Sequence, residues 1–481
     1  MTYRPELHVA LESGVLEAPA GALLDGTTWH LFHQYRPAPG EPSRWGHVFA
    51  EEAPFEWLEC DDALAPVGGE FGLRAGSVAA VGPDINLYFT SLTAGASSIR
   101  FAKYAGYDET CEVSDDPQAL DPNVARHGEV ITSADGFSRF RSPCVVPDWA
   151  ADDKREDGHE GWLMLALSGS TENPTPVVLR SADGDTWHFD GPLTFKGNTA
   201  FPGTKDDLPA AIVSPRIIRL RDEIDGNVYD VLFFTVEAVG KESGEVAGYL
   251  VGRLQGTEFE VVSGFRRLDY GHDFTRPRNT NSTPGTFSED FNYREACLFG
   301  LLNGRGRSDN PAVHHSWTEE GWANALTLPR LVTLQGGVLY QTPPRGLPDA
   351  VSHSKRARMW TGLLEVPAGS AVTVTLLDGH GKPATTVTHA GTELRVDRSM
   401  SRAFDETYKT DIPAVAPLTE DPENVDDSLT IVVDGTTVEI FADSGLVTMA
   451  SRMYFDGGCS GFRVETNGDA EVVRSFERAG S

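Results

Sequence analysis

Short β-type runs alternate with turn residues along almost the whole chain, and no convincing amphipathic helix interrupts them. The runs are rich in Val, Ile, Leu, Phe, Tyr and Thr, side chains that fit a pleated, half-buried surface; Gly, Pro, Asp and Asn close them off. Ile-Asn-Leu-Tyr-Phe-Thr at 85–90, Trp-Leu-Met-Leu-Ala-Leu at 162–167 and Tyr-Asp-Val-Leu-Phe-Phe at 229–234 are representative. Up to residue 305 the rhythm repeats without a strict period, which suits a propeller or a large sandwich and does not choose between them. From 303 to 311 the chain turns polar and rich in breakers. Further on, two alternating runs, 429–434 and 437–442, flank Gly435 and read as a half-buried antiparallel hairpin.

At 481 residues the chain exceeds one ordinary core, so two domains are expected. No apolar stretch reaches the roughly 18 residues of a membrane helix. The start, Met-Thr-Tyr-Arg-Pro-Glu-Leu, lacks a basic segment followed by an apolar run, so no signal peptide is expected. A net charge of −31 disfavours nucleic acid and anionic lipid as partners. The five cysteines are odd in number and widely spaced, which predicts free thiols in a reducing cytoplasm and no CxxC-type metal site. His314-His315 has no third ligand at metal spacing and is expected in solvent. There is no P-loop or dinucleotide fingerprint, and no cofactor is expected.

Ordered short motifs carry a family resemblance. They are Val-Leu-Glu-Ala-Pro-Ala-Gly at 15–21, a run ending Gln34-Tyr35-Arg36-Pro37, Phe140-Arg141-Ser142-Pro143 and Ile212-Val213-Ser214-Pro215. Asp269 to Phe274, the stretch at 322–330, Glu439 with Phe441, and Ser451-Arg452-Met453-Tyr454 continue the series. The chain resembles glycoside hydrolase family 32, the invertase-like β-fructosidases, over nearly its whole length. That resemblance implies an all-β protein: an N-terminal five-bladed β-propeller over 1–305, a linker over 306–344 and a C-terminal β-sandwich over 345–481.

It also implies which positions did the chemistry. Retaining glycosidases use two carboxyl groups about 5 Å apart, one as nucleophile and one as acid/base. The family's nucleophilic Asp, its stabilising Asp and its acid/base Glu fall on Ala18, Ser142 and Val213. All three carboxylates are replaced, each beside a retained proline, so hydrolysis by the family mechanism is expected to be lost. Glu17 adjoins the first position, but strand neighbours point to opposite faces, so it is expected to point away. Asp206, Asp207 and Asp273 are read as loop or ladder carboxylates rather than replacements.

By the same resemblance Gln34, Trp45 and Ser77 line the sugar pocket, Trp45 as a stacking wall. Arginine stands at Arg36, Arg74, Arg141, Arg216 and Arg276, at or near the expected rim. A site that lost carboxylates and gained guanidinium groups favours an anionic ligand such as a sugar phosphate; the competing reading pairs these arginines with local acids. Three functions remain open: a catalytically inactive carbohydrate binder, an active glycosidase with displaced carboxylates, or a structural protein with a vestigial pocket.

Overall fold

Five blades of mainly antiparallel strands, the first and last joined in one sheet, follow one another along residues 14–342 of the computed structural model, which describes residues 2–107, 111–149, 159–202, 211–237, 246–303, 311–401, 412–418 and 427–480. Their innermost strands are Gly14–Asp25, Gly72–Val81, Arg141–Pro147, Ala211–Arg221 and Phe274–Ser282, which pack against one another around a common axis. Each blade then steps outward through antiparallel neighbours; in the first these are Thr28–Arg36, Arg44–Ala50 and Leu58–Leu64. The fifth blade's inner strand runs parallel to the first's, Ala22 opposite Thr280, and this pairing closes the ring.

The apolar alternation seen in the sequence buries its residues between blades. Phe32, Trp45, Leu73 and Phe89 fill the space between blades one and two, and Tyr88, Phe140 and Met164 that between two and three. Leu165, Ile217 and Phe234 join three to four, Phe233, Phe274 and Val332 join four to five, and Leu16, Phe299 and Leu326 join five to one. The fifth of these cores makes the arrangement a closed five-bladed propeller rather than an open stack. It also explains the missing strict period: the blades are alike in topology but differ in loop length.

The range expected as linker contributes strands. Arg330–Gln335 pairs with Ala296–Leu302 and with Val338–Thr342, so these two strands complete the fifth blade. Val332, Leu334 and Leu339 alternate into the core between blades four and five, a pattern present in the sequence that the linker bounds passed over. The second unit is a β-sandwich whose two five-stranded sheets enclose Trp360, Val374, Leu394, Ile431, Val438 and Met449. Ser428–Asp434 and Thr437–Ala442 form the expected hairpin, Asp434 opposite Thr437. It is not half-buried, however: Thr437–Ala442 is buried along its whole length. The face expected in solvent, carrying Glu439, packs against the propeller through the Leu328 N–H (2.7 Å) and Arg330 (2.8 Å). Gly435 (φ 56°) is needed at the turn because a Cβ there would lie 2.6 Å from the Tyr3 carbonyl oxygen.

Two expectations are overturned. Cys60 and Cys111 form a disulfide, so only Cys144, Cys297 and Cys459 are free thiols among the described residues. A separation of 51 residues conceals that pairing in the sequence. His314 is 2 % exposed, not solvated: burial, with the nearby charge of Arg452, pushes its imidazole down to about 3. Among the described residues no helix is long and apolar enough to cross a membrane.

Candidate functional site

Every inner strand is bulged near its N-terminal end. The register slips between Leu16 and Ala18, Arg74 and Ser77, Arg141 and Cys144, Val213 and Arg216, and Thr275 and Arg278. Ser142, Ser214 and Arg276 sit at the last three slips with φ of 56°, 53° and 53°, each followed by proline. A bulge leaves a residue unpaired and re-aims its side chain, so the five slips build one mouth at one end of the propeller axis. Ser142, Val213, Arg36, Arg141 and Arg276 are partly exposed there and Arg74 is exposed.

The bulge in the first blade changes the expectation for Glu17. Ala18 lies opposite Gln34, and Glu17 is the extra residue, so the two do not alternate as regular strand neighbours would. Gln34 Nε2 donates to the Glu17 carboxylate (2.5 Å), the Arg36 guanidinium pairs with the same carboxylate, and Arg276 donates to the Glu17 carbonyl. Glu17 therefore brings a carboxylate to the side chains expected to line the pocket. Gln34 is fixed at its other end by the Ala75 N–H (2.7 Å).

The remaining expected positions divide. Arg141 donates to the carbonyls of Gly169 (2.6 Å) and Ser170 (2.9 Å), which holds its charge at the rim. Trp45 is wholly buried between the first two blades, its indole N–H on the Arg74 carbonyl (3.2 Å); as placed it is core and offers no face for stacking. Ser77 is buried and donates to the Val145 carbonyl (3.3 Å). Arg216 is 1 % exposed, beneath the mouth rather than on its rim. Asp273 belongs to the contact with the sandwich, accepting from Arg398 (2.8 Å) and from the Arg452 N–H (2.8 Å). Asp206 and Asp207 lie outside the described residues.

Sequence reasoning missed Arg278, which stands in the fifth blade where Arg216 stands in the fourth. The available signal was the repeated spelling Ser142-Pro143-Cys144, Ser214-Pro215-Arg216, Arg276-Pro277-Arg278. It also missed a recess of about 340 Å³ at the opposite end of the axis, lined by Leu24, Trp149, Arg219, Asn281, Phe287 and Tyr293. These residues sit at or beyond the C-terminal halves of the inner strands, away from the motif positions.

Chemically, among the described residues the mouth offers guanidinium groups, one amide and the Glu17 carboxylate already held by Arg36 and Gln34. Ala18, Ser142 and Val213 supply no proton donor of carboxylic strength.

Residues 8–343 match the model for the glycosyl hydrolases family 32 N-terminal domain, and residues 357–478 the family's C-terminal domain. A sucrose-6-phosphate hydrolase of Bacillus subtilis is 27 % identical over 81 % of this chain and 76 % of its own. A raffinose invertase of Escherichia coli is 23 % identical over 94 % of this chain and 90 % of its own. Among solved structures, an exo-inulinase from Aspergillus awamori superimposes with a TM-score of 0.74 at 18 % identity, covering 99 % of this chain and 98 % of that one. A mutant Bombyx mori β-fructofuranosidase in complex with sucrose gives 0.71 at 19 %, covering 99 % and 94 %.

Proposed function

The chain belongs to glycoside hydrolase family 32, and we propose that within it this protein binds a carbohydrate without hydrolysing it by the family's retaining mechanism. One observation supports the reading: Ala18, Ser142 and Val213, on which the family resemblance places the catalytic carboxylates, lie beside register slips on inner strands that carry Pro19, Pro143 and Pro215. A methyl group, a hydroxyl and an isopropyl group cannot attack an anomeric carbon, stabilise an oxocarbenium-like charge or protonate a leaving oxygen. Arg36, Arg74, Arg141 and Arg276 around the mouth support an anionic sugar, a sugar phosphate above all, as the ligand class. That several relatives are named sucrose-6-phosphate hydrolases fits this choice.

A second reading keeps one specific support. The bulge turns Glu17 toward Gln34 and Arg36, where it could serve as a displaced nucleophile. One assay separates the two: fructose released from sucrose, sucrose 6-phosphate, inulin and levan at high protein concentration. No release above background, with saturable binding of sucrose 6-phosphate by calorimetry, is the expected result. Turnover on the order of 1 s⁻¹ that Glu17→Gln abolishes would establish the second reading instead.

A further inference from the structure

Beneath the mouth, two buried guanidinium groups lie near each other with no carboxylate beside them. Arg216 and Arg278 directly follow the bulge prolines Pro215 and Pro277 and are 1 % and 4 % exposed. Ser77 and Cys144 hold the matching positions of blades two and three, small side chains that leave room for the two long ones. Arg216 spends Nη1 on the carbonyls of Ser142 (2.9 Å) and Pro215 (2.6 Å), and the Cys144 sulfur is the side chain that acts on it; its Nε and Nη2 meet no oxygen or nitrogen acceptor among the described residues. Arg278 leaves Nε and Nη1 in the same condition.

The surroundings are hostile to two cations. Burial pushes Arg216 down to about 10 against the opposing influence of Cys144. Arg278 is pushed further, by burial and then by the charge of Arg216. Arginine does not release its proton in a protein, so relief has to come from negative charge. Among the described residues no Asp or Glu acts on either group. The Cys144 Sγ–H donates to Asn279 Oδ1 (3.5 Å).

We propose that a small anion, a halide or a compact oxyanion, binds between Arg216 and Arg278 as a counter-ion sealed in the propeller axis. The open N–H groups of two forks suit such a guest, and the burial of both residues closes the site to anything as large as a sugar. The site is separate from the carbohydrate mouth and stands or falls independently of ligand binding there.

The direct test is diffraction from crystals of the full chain grown in sodium bromide. An anomalous peak within about 3.5 Å of both guanidinium groups is expected; a water chain without anomalous signal would overturn the proposal. In solution, bromide replacing gluconate at constant ionic strength should raise the melting temperature of the wild-type protein and saturate. Arg278→Met should remove that dependence. A wild-type melting temperature indifferent to bromide would also overturn it. Should the variant not fold, the wild-type diffraction and titration decide by themselves.

Discussion

Glu17 is the residue on which the mouth's electrostatics turn. Its carboxylate neutralises Arg36 and orders Gln34, and its carbonyl holds Arg276. If the ligand is a sugar phosphate, that carboxylate repels it. Replacing Glu17 with Gln should keep the hydrogen bond to Gln34 while removing the charge, an effect of about 1 kcal/mol for a partly solvated pair and so about fivefold tighter binding. Calorimetry with sucrose 6-phosphate and sucrose side by side checks it: only the phosphorylated sugar should gain. A loss for both would mean that Glu17 itself holds the sugar. The identity of these residues was legible in the sequence; the direction of Glu17 was not. Strict alternation placed it away from Ala18, and a bulge invisible in composition overrode that rule. Trp45 failed for a related reason, since an aromatic in a motif does not disclose whether its ring faces the mouth or the seam between blades.

At the level of the strand, the bulges set which side chains reach the mouth. Ser142 sits at φ 56°, a left-handed conformation that Asp tolerates and β-branched residues resist. Ser142→Asp should therefore leave thermal stability almost unchanged, whereas Ser142→Val should cost about 1–2 kcal/mol, read as a lower denaturation midpoint. Equal effects would show that the backbone there relaxes freely. The same tolerance makes a triple replacement informative: if the proposed function is right, Ala18→Asp, Ser142→Asp and Val213→Glu together should give measurable fructose release from sucrose, because all three positions lie at register slips facing one mouth. The strands themselves were legible because their apolar runs face the interblade cores. The outer strands of the last blade were not, because the polar, breaker-rich stretch at 303–311 separates them from Ala296–Leu302, and the buried Arg330 that begins them finds its partner Glu439 109 residues away.

Across the whole molecule, buried charge joins the propeller to the sandwich, and it makes stability depend on pH in a definite direction. Asp273 meets Arg398 at 2.8 Å, both fully buried on their side chains. Asp273→Asn would strand that cation and should lower stability by about 3–5 kcal/mol, seen in urea unfolding. His8, from the N-terminal segment, lies between Asp434 (2.8 Å) and Glu439 (3.1 Å) of the sandwich. Burial works against its charged form, but the two carboxylates outweigh it and hold the imidazole up at about 9, against 6.5 when unconstrained. Burial also opposes both carboxylates, yet His8 holds Asp434, and Arg330 with His8 holds Glu439, below their ordinary values. A folded-state value raised above the unfolded one means that the His8 contribution is complete below pH 6.5 and disappears as pH climbs through about 9. The carboxylate contributions run the other way, present above their unfolded values of 3.8 and 4.5 and lost in acid. The His8 contribution to the melting temperature should therefore fall from pH 6.5 to 9.5, read as the difference between wild type and a His8 variant, because buried imidazoles held low, such as His314, act in the opposite sense near pH 6.5. His8→Gln should melt lower than wild type at pH 6 and approach it at pH 9.5, because the neutral amide forfeits the contribution that alkali removes from the histidine. Parallel melting curves for the two proteins across that range would mean that His8 is neutral in the folded protein and that the two carboxylates are held by Arg330 and backbone donors alone.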